Sequence, residues 1–146
     1  MRFVKKILLT CVSLNLLAPS FSTLAHSDSI PDVNFETLLE TEKSWDGSQY
    51  SKYPEGTPQI SILKIKIAPH SSLSWHTHPM PHAAYVLDGM LTVEKKITGE
   101  KKHLKAGEVL PEMMDSVHRG YTGDEGVTLI VFYAGKKGMP LSIPAT

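Results

Sequence analysis

The stretch that decides the fold is "WHTHPMPHAAYVLDG", Trp75–Gly89. It puts His76, His78 and His82 within seven residues, with Pro79 and Pro81 between the second and third. In a strand, residues two apart face the same side, so His76 and His78 project together while Trp75 and Thr77 face away. Two adjacent imidazoles on one face are how a β scaffold offers nitrogen ligands to one ion. The prolines cannot donate to a sheet ladder, so the chain is expected to turn between them and bring His82 back toward the same point. Ala83 and Ala84 are small and leave room beside an ion. "LDG" is expected to be a tight turn into "MLTVE".

A ligand from a distant segment is expected too, because a site made by one hairpin alone would lie open to solvent. The candidate is His118 in "MMDSVHRGYT". The remaining histidines, His26, His70 and His103, read as ordinary polar residues. Arg119, beside His118, is a candidate for assisting an acidic ligand, although strand alternation turns it away from the histidine face.

Working outward, the texture from Pro58 onward is β. In "QISILKIKIA" the apolar residues Ile60, Ile62, Leu63, Ile65 and Ile67 surround outward Lys64 and Lys66. "GVTLIVFYAG" is a dense β-branched and aromatic run, expected as a central strand. "EKKITGEKK" reads as a solvated hairpin tip. Upstream, "VNFETLLETE" fits a short helix or a first strand, with its alternation favouring the strand. Turn signals recur at short spacing and no long amphipathic helix appears, which points to a β-sandwich or barrel. Tyr85, Met90, Met113, Met114, Val117, Phe132 and Trp75 are candidate lining residues. Trp45, Tyr50 and Tyr53 are candidates for a lid or a dimer contact.

The first 25 residues read as a secretory leader: basic Arg2, Lys5 and Lys6, an apolar run Ile7–Ala18, and small residues before Ala25. The apolar run is shorter than the roughly 20 residues of a spanning helix. The expected organisation is a signal peptide over 1–25, an extension or first strand over 26–54, the core over 55–136 and a tail over 137–146. Export to the periplasm or outside the cell follows as an expectation, with no membrane attachment after cleavage. Three of the 15 basic and none of the 15 acidic residues fall in the leader. The mature chain thus holds 12 against 15 and a net charge of −3, with no basic stripe for nucleic acid. The single cysteine, Cys11, leaves with the leader, so thiolate sites and disulfides are excluded and any ion must be held by nitrogen or oxygen. Elbow, phosphate-loop, HExxH and dinucleotide motifs are absent.

The chain resembles a cupin. The family's first motif, G-x5-H-x-H-x3,4-E-x6-G, places its histidines on His76 and His78 and its closing glycine on Gly89. The second, G-x5-P-x-G-x2-H-x3-N, starts at Gly107 and places its histidine on His118. The resemblance covers about residues 55–136 and implies an all-β, double-stranded β-helix (jelly-roll) barrel. It also implies a divalent transition metal (Mn, Fe, Ni, Cu or Zn) and a homodimer. The departures are specific. His70 and Asp115 stand where the motifs have glycine, Met113 and Thr122 where they have proline and asparagine, and His82 where the first has glutamate. The loop before His118 is therefore expected to take another path. A site of His76, His78, His82 and His118 would leave an ion its full 2+ charge and favour oxygen ligands. The alternative for His82 is a place outside the ligand set, with Glu112 and Asp115 as neighbours of the site. The function expected is the binding or transformation of a small oxygen-rich ligand, acidic, diol or sugar-like, by oxygenase or isomerase/lyase chemistry. The competing expectation is a non-catalytic metal or ligand-binding or sensing module, including a metal handler.

Overall fold

Lys64 and Lys66 interrupt an apolar run every second residue, and that period makes Pro58–Ile67 the first strand, β1. In the computed structural model, which describes residues 33–145, Leu63, Ile65 and Ile67 turn to the core. Ile60 and Ile62 share the outer face with the lysines, 67% and 64% exposed. Seven further strands follow: β2 (His76–Thr77), β3 (His82–Lys95), β4 (Lys101–Lys105), β5 (Val109–Pro111), β6 (His118–Tyr121), β7 (Val127–Lys136) and β8 (Ile143–Pro144). All pair antiparallel, and no helix occurs among the described residues.

The order along the curled sheet is β1-β7-β3-β6-β2-β8, with β4 and β5 also on β3. β7 lies between β1 and β3, as its β-branched run leads one to expect. Its Val127, Leu129, Val131 and Tyr133 point inward and are buried, while Phe132 points out. With Val86, Leu91, Val93, Leu104 and Leu110 they form the core. Each such side chain contributes about 1.5–3 kcal/mol on leaving water.

β3 is the frame of the molecule. Its first half pairs with β5 and β7, its second half with β4 and β6. The changeover is at Asp88–Gly89, where the register slips past a bulge. The expected tight turn at "LDG" is therefore a corner inside one strand. Gly89 has φ +79°, and a Cβ there would collide with the Gly126 carbonyl.

Several other expectations are corrected. Residues 35–41 form neither helix nor strand, and Phe35 is 88% exposed. The segment after 136 is more than a tail, since β8 pairs with β2 and Ala145 N–H donates to the Trp75 carbonyl. His70 and Asp115 are the described non-glycine residues with positive φ, 53° and 55°. These are the two positions where the cupin motifs carry glycine, so the backbone keeps the left-handed turns that glycine would make. Thr122 ties its loop down by donating from Oγ1 to the Ala68 carbonyl (2.6 Å) and accepting from Ser71 N–H (3.0 Å). Thr122 thus fastens the chain just after His118 to the loop of residues 68–71.

Contact density separates residues 1–34 from 35–146. Of the first group only Val33 and Asn34 are described. The leader, Cys11 and His26 lie outside the described residues.

Candidate metal centre

His76 on β2 is opposite His118 on β6 in the sheet register, so two segments 42 positions apart in sequence present imidazoles side by side. His78 follows two residues after His76 on the same face. The ligand atoms of His76, His78 and His118 lie within 4.8 Å of one another, near enough to be offered to one ion. His118, from the distant segment, thus stands beside the pair His76 and His78. His82 opens β3 and lines the same cavity, but it stands outside this set of mutually close atoms. Its ring packs 3.9 Å from that of His78 and stacks on Tyr133 at 5.1 Å, 4° from parallel.

The tautomers follow from the backbone. Nδ1 of His76, His78, His82 and His118 lies 2.7, 2.6, 3.2 and 2.7 Å from the carbonyls of Ser74, Leu141, Met80 and Ser116. A carbonyl only accepts, so each Nδ1 carries the proton and donates it. Each Nε2 is left with a free lone pair. Fixing the ring through Nδ1 is the support a metal-binding imidazole needs. For His78 the support comes from the C-terminal segment, a second reason why that segment belongs to the site.

Burial keeps the rings of His78, His82 and His118 neutral. It lowers His78 to about 3, with the Leu141 carbonyl opposing, His82 to about 2, and His118 to about 4 with the Ser116 carbonyl opposing. Glu112, just past β5, is buried, and burial pushes its carboxyl up to about 8 against hydrogen bonding from the Met113 backbone. Its Oε2 lies 3.5 Å from His118 Nε2. With His118 neutral this is no ion pair, and both atoms are buried without a hydrogen-bond partner. Two lone-pair atoms facing each other across a gap too long for a hydrogen bond are what a cation would satisfy. The donor set of imidazoles and a carboxyl, with orphaned buried atoms, fits a transition metal.

The cavity is about 50 Å³, room for an ion and a few atoms. Its walls are apolar, with Ile65, Leu73, Leu91, Val93, Leu129 and Val131 around the histidines. Of the expected lining residues, Met90 and Phe132 are exposed on the outside, and Trp75 lies outside under Arg119, whose guanidinium is 4.5 Å from its ring. Arg119 is paired with Glu94 at 2.8 and 3.0 Å and takes no part in the cavity, as alternation requires. Asp115 is exposed; His70 and His103 are surface residues, the latter in contact with Thr92 Oγ1. Trp45 and Tyr50 do cover part of the barrel. Trp45 N–H donates to the Pro111 carbonyl and Tyr50 Oη–H to the Glu112 carbonyl, whereas Tyr53 is 71% exposed.

Tyr133 escaped the sequence reading, whereas Glu112, expected as a neighbour of the site, does line the cavity. The signal for Glu112 was a single acid inside the apolar run "VLPEMM".

Comparison with known proteins agrees with this geometry. The Cupin domain family matches residues 63–133. A cupin-like protein from Thermotoga maritima is similar at 15% identity over 59% of this chain and 64% of that one, TM-score 0.51. A polyketide cyclase from Streptomyces resistomycificus is similar at 18% identity over 62% and 63%, TM-score 0.53. A DMSP lyase from Ruegeria pomeroyi is similar at 13% identity over 68% and 47%, TM-score 0.53. The chain thus spans under two thirds of the length of each of these three. No curated protein sequence matches.

Proposed function

The chain belongs to the cupin superfamily, and on that premise we propose that it is an exported metal-binding cupin that takes a small oxygen-rich ligand at the ion. The observation that carries the reading is the convergence of three backbone-anchored imidazoles, His76, His78 and His118, on one point of the cavity. The ion is a divalent transition metal, Mn, Fe, Ni, Cu or Zn, since nitrogen donors suit all of these. Bound there, it supplies Lewis acidity toward an acid, diol or sugar-like oxygen. The histidines hold their Nε2 lone pairs inward and move no proton. The apolar walls keep bulk water off the polar centre. The cavity admits only the coordinating end of a ligand.

Turnover of the isomerase or lyase class is supported by the occurrence of a cyclase and a lyase on this fold. Export is supported by the basic-then-apolar first 25 residues. A homodimer is supported by the exposed apolar outer face of Ile60, Ile62 and Phe132 and by exposed Phe35, Leu38 and Leu39.

The test is reconstitution of chelator-stripped protein with each of the five ions, followed by binding and turnover assays with small acids, diols and sugars. Binding or turnover that needs the ion and is lost in His76→Ala is the expected result. A ligand response equal in the metal-free protein would contradict the proposal. An ion-dependent response without turnover would assign the sensing role.

A further inference from the structure

In the chain's departure from the first cupin motif, His82 occupies the position where the family has glutamate. We propose that the missing carboxylate is supplied from the other side of the ladder, by Glu112. The proposal rests on the metal reading above and names the group that joins the three histidines.

The register makes the case. Ala83 pairs with Pro111 across β3 and β5, which puts residue 112 opposite residue 82. Glu112 N–H donates to the His82 carbonyl at 3.1 Å, closing that pair. The two side chains leave neighbouring backbones and both line the cavity. The carboxylate has therefore moved one strand sideways while keeping its place on the cavity wall. Glu112 Oε2 stands 3.5 Å from His118 Nε2. Two ligands of one ion, with bonds of about 2.1 Å at a tetrahedral angle, are about 3.4 Å apart. Both atoms are buried and unpartnered. Neither Glu112 nor His82 belongs to the mutually close set of His76, His78 and His118. Glu112 Oε2, however, faces His118 Nε2 without a partner, while the His82 ring is stacked on Tyr133. Tyr50 and Trp45 hold the Pro111–Glu112 backbone from outside, so the carboxylate is positioned by a fixed strand end. The consequence is a centre of net charge 1+ with a divalent ion, where four neutral histidines would leave 2+.

The test uses the full chain stripped of metal and loaded with Co²⁺. Three quantities are measured: ion stoichiometry, affinity by chelator competition, and the visible spectrum of bound Co²⁺. Glu112→Gln keeps shape and removes charge. It is expected to weaken Co²⁺ by at least the ~10–100-fold that groups one bond further out produce, and to shift the spectrum. His82→Phe, which keeps the stack on Tyr133, is expected to cost less. A Zn²⁺-loaded wild-type crystal with anomalous scattering gives the answer independently of variant folding. A Glu112 oxygen bonded to the ion supports the proposal. An ion bonded to His82 with Glu112 apart from it, or wild-type affinity and spectrum in Glu112→Gln, overturns it. If wild type binds no ion, or His76→Ala binds as wild type does, the metal reading itself fails.

Discussion

Buried His78, His82 and His118 take up no second proton in the fold until the solution is strongly acidic, and that sets a pH dependence. Folded His78, His82 and His118 lie at about 3, 2 and 4 against 6.5 for the free group, through burial. Below 6.5 the unfolded chain takes up protons that the folded chain refuses, so stability falls as pH drops from about 6.5 toward 4. Glu112, raised to about 8, acts the other way between 4.5 and 8, but it is one group against three. The expected result for metal-free protein is a urea midpoint that falls between pH 6.5 and 4.5, by several kcal/mol in total. A flat profile over that range would contradict the neutral-histidine account. At the same scale, His70 has φ 53° and is exposed. Replacing it by glycine should leave the melting temperature unchanged or stabilise by up to about 1 kcal/mol, whereas His70→Val should destabilise by more than about 1 kcal/mol. The pair His76 and His78, and the distant His118, were legible from spacing and motif alone. Glu112 was legible only as a neighbour of the site, at the wrong spacing for the motif's glutamate, because its place opposite His82 is set by cross-strand register, which a linear spacing does not contain.

Among the elements, β3 decides most. Its corner at Gly89 lets one strand serve both halves of the barrel, so that His82 from the first half and Val93 from the second both line the cavity. Gly89→Ala adds a methyl against the Gly126 carbonyl at φ +79°. It should destabilise by about 3 kcal/mol or more in urea unfolding; a loss under about 1 kcal/mol would show that the corner relaxes freely. Asp-Gly chemistry is the same whether a strand reverses or bends, which is why "LDG" reads as a turn from sequence. Only the pairing of Asp88 and Gly89 with β7 makes it a bulge. The phase of β7 was hidden for a related reason. "VTLIVFY" is apolar on both faces, so nothing local says that Tyr133 faces in and Phe132 out. In β1 the lysines fix the phase of Leu63, Ile65 and Ile67, yet Ile60 and Ile62 fall on the lysine face and stay exposed.

At the scale of the whole molecule, the all-β class and the cupin barrel were legible because many short alternating strands and two motifs in register agree. What surrounds the barrel was not, since an exposed apolar side chain reads the same as a buried one in sequence. The outer face bearing Ile60, Ile62 and Phe132 is the surface on which the proposed homodimer depends. Light scattering should give twice the chain mass for the mature protein and a monomer for Ile62→Lys with Phe132→Glu. A monomeric wild type would remove the dimer from the account. The central claim is that two widely separated segments hold one ion. Metal content of the purified, reconstituted chain measures it most directly. The account predicts one tightly held transition-metal ion per chain in wild type and none in His118→Ala. Wild type without a stoichiometric ion, or His118→Ala that keeps it, would contradict the account.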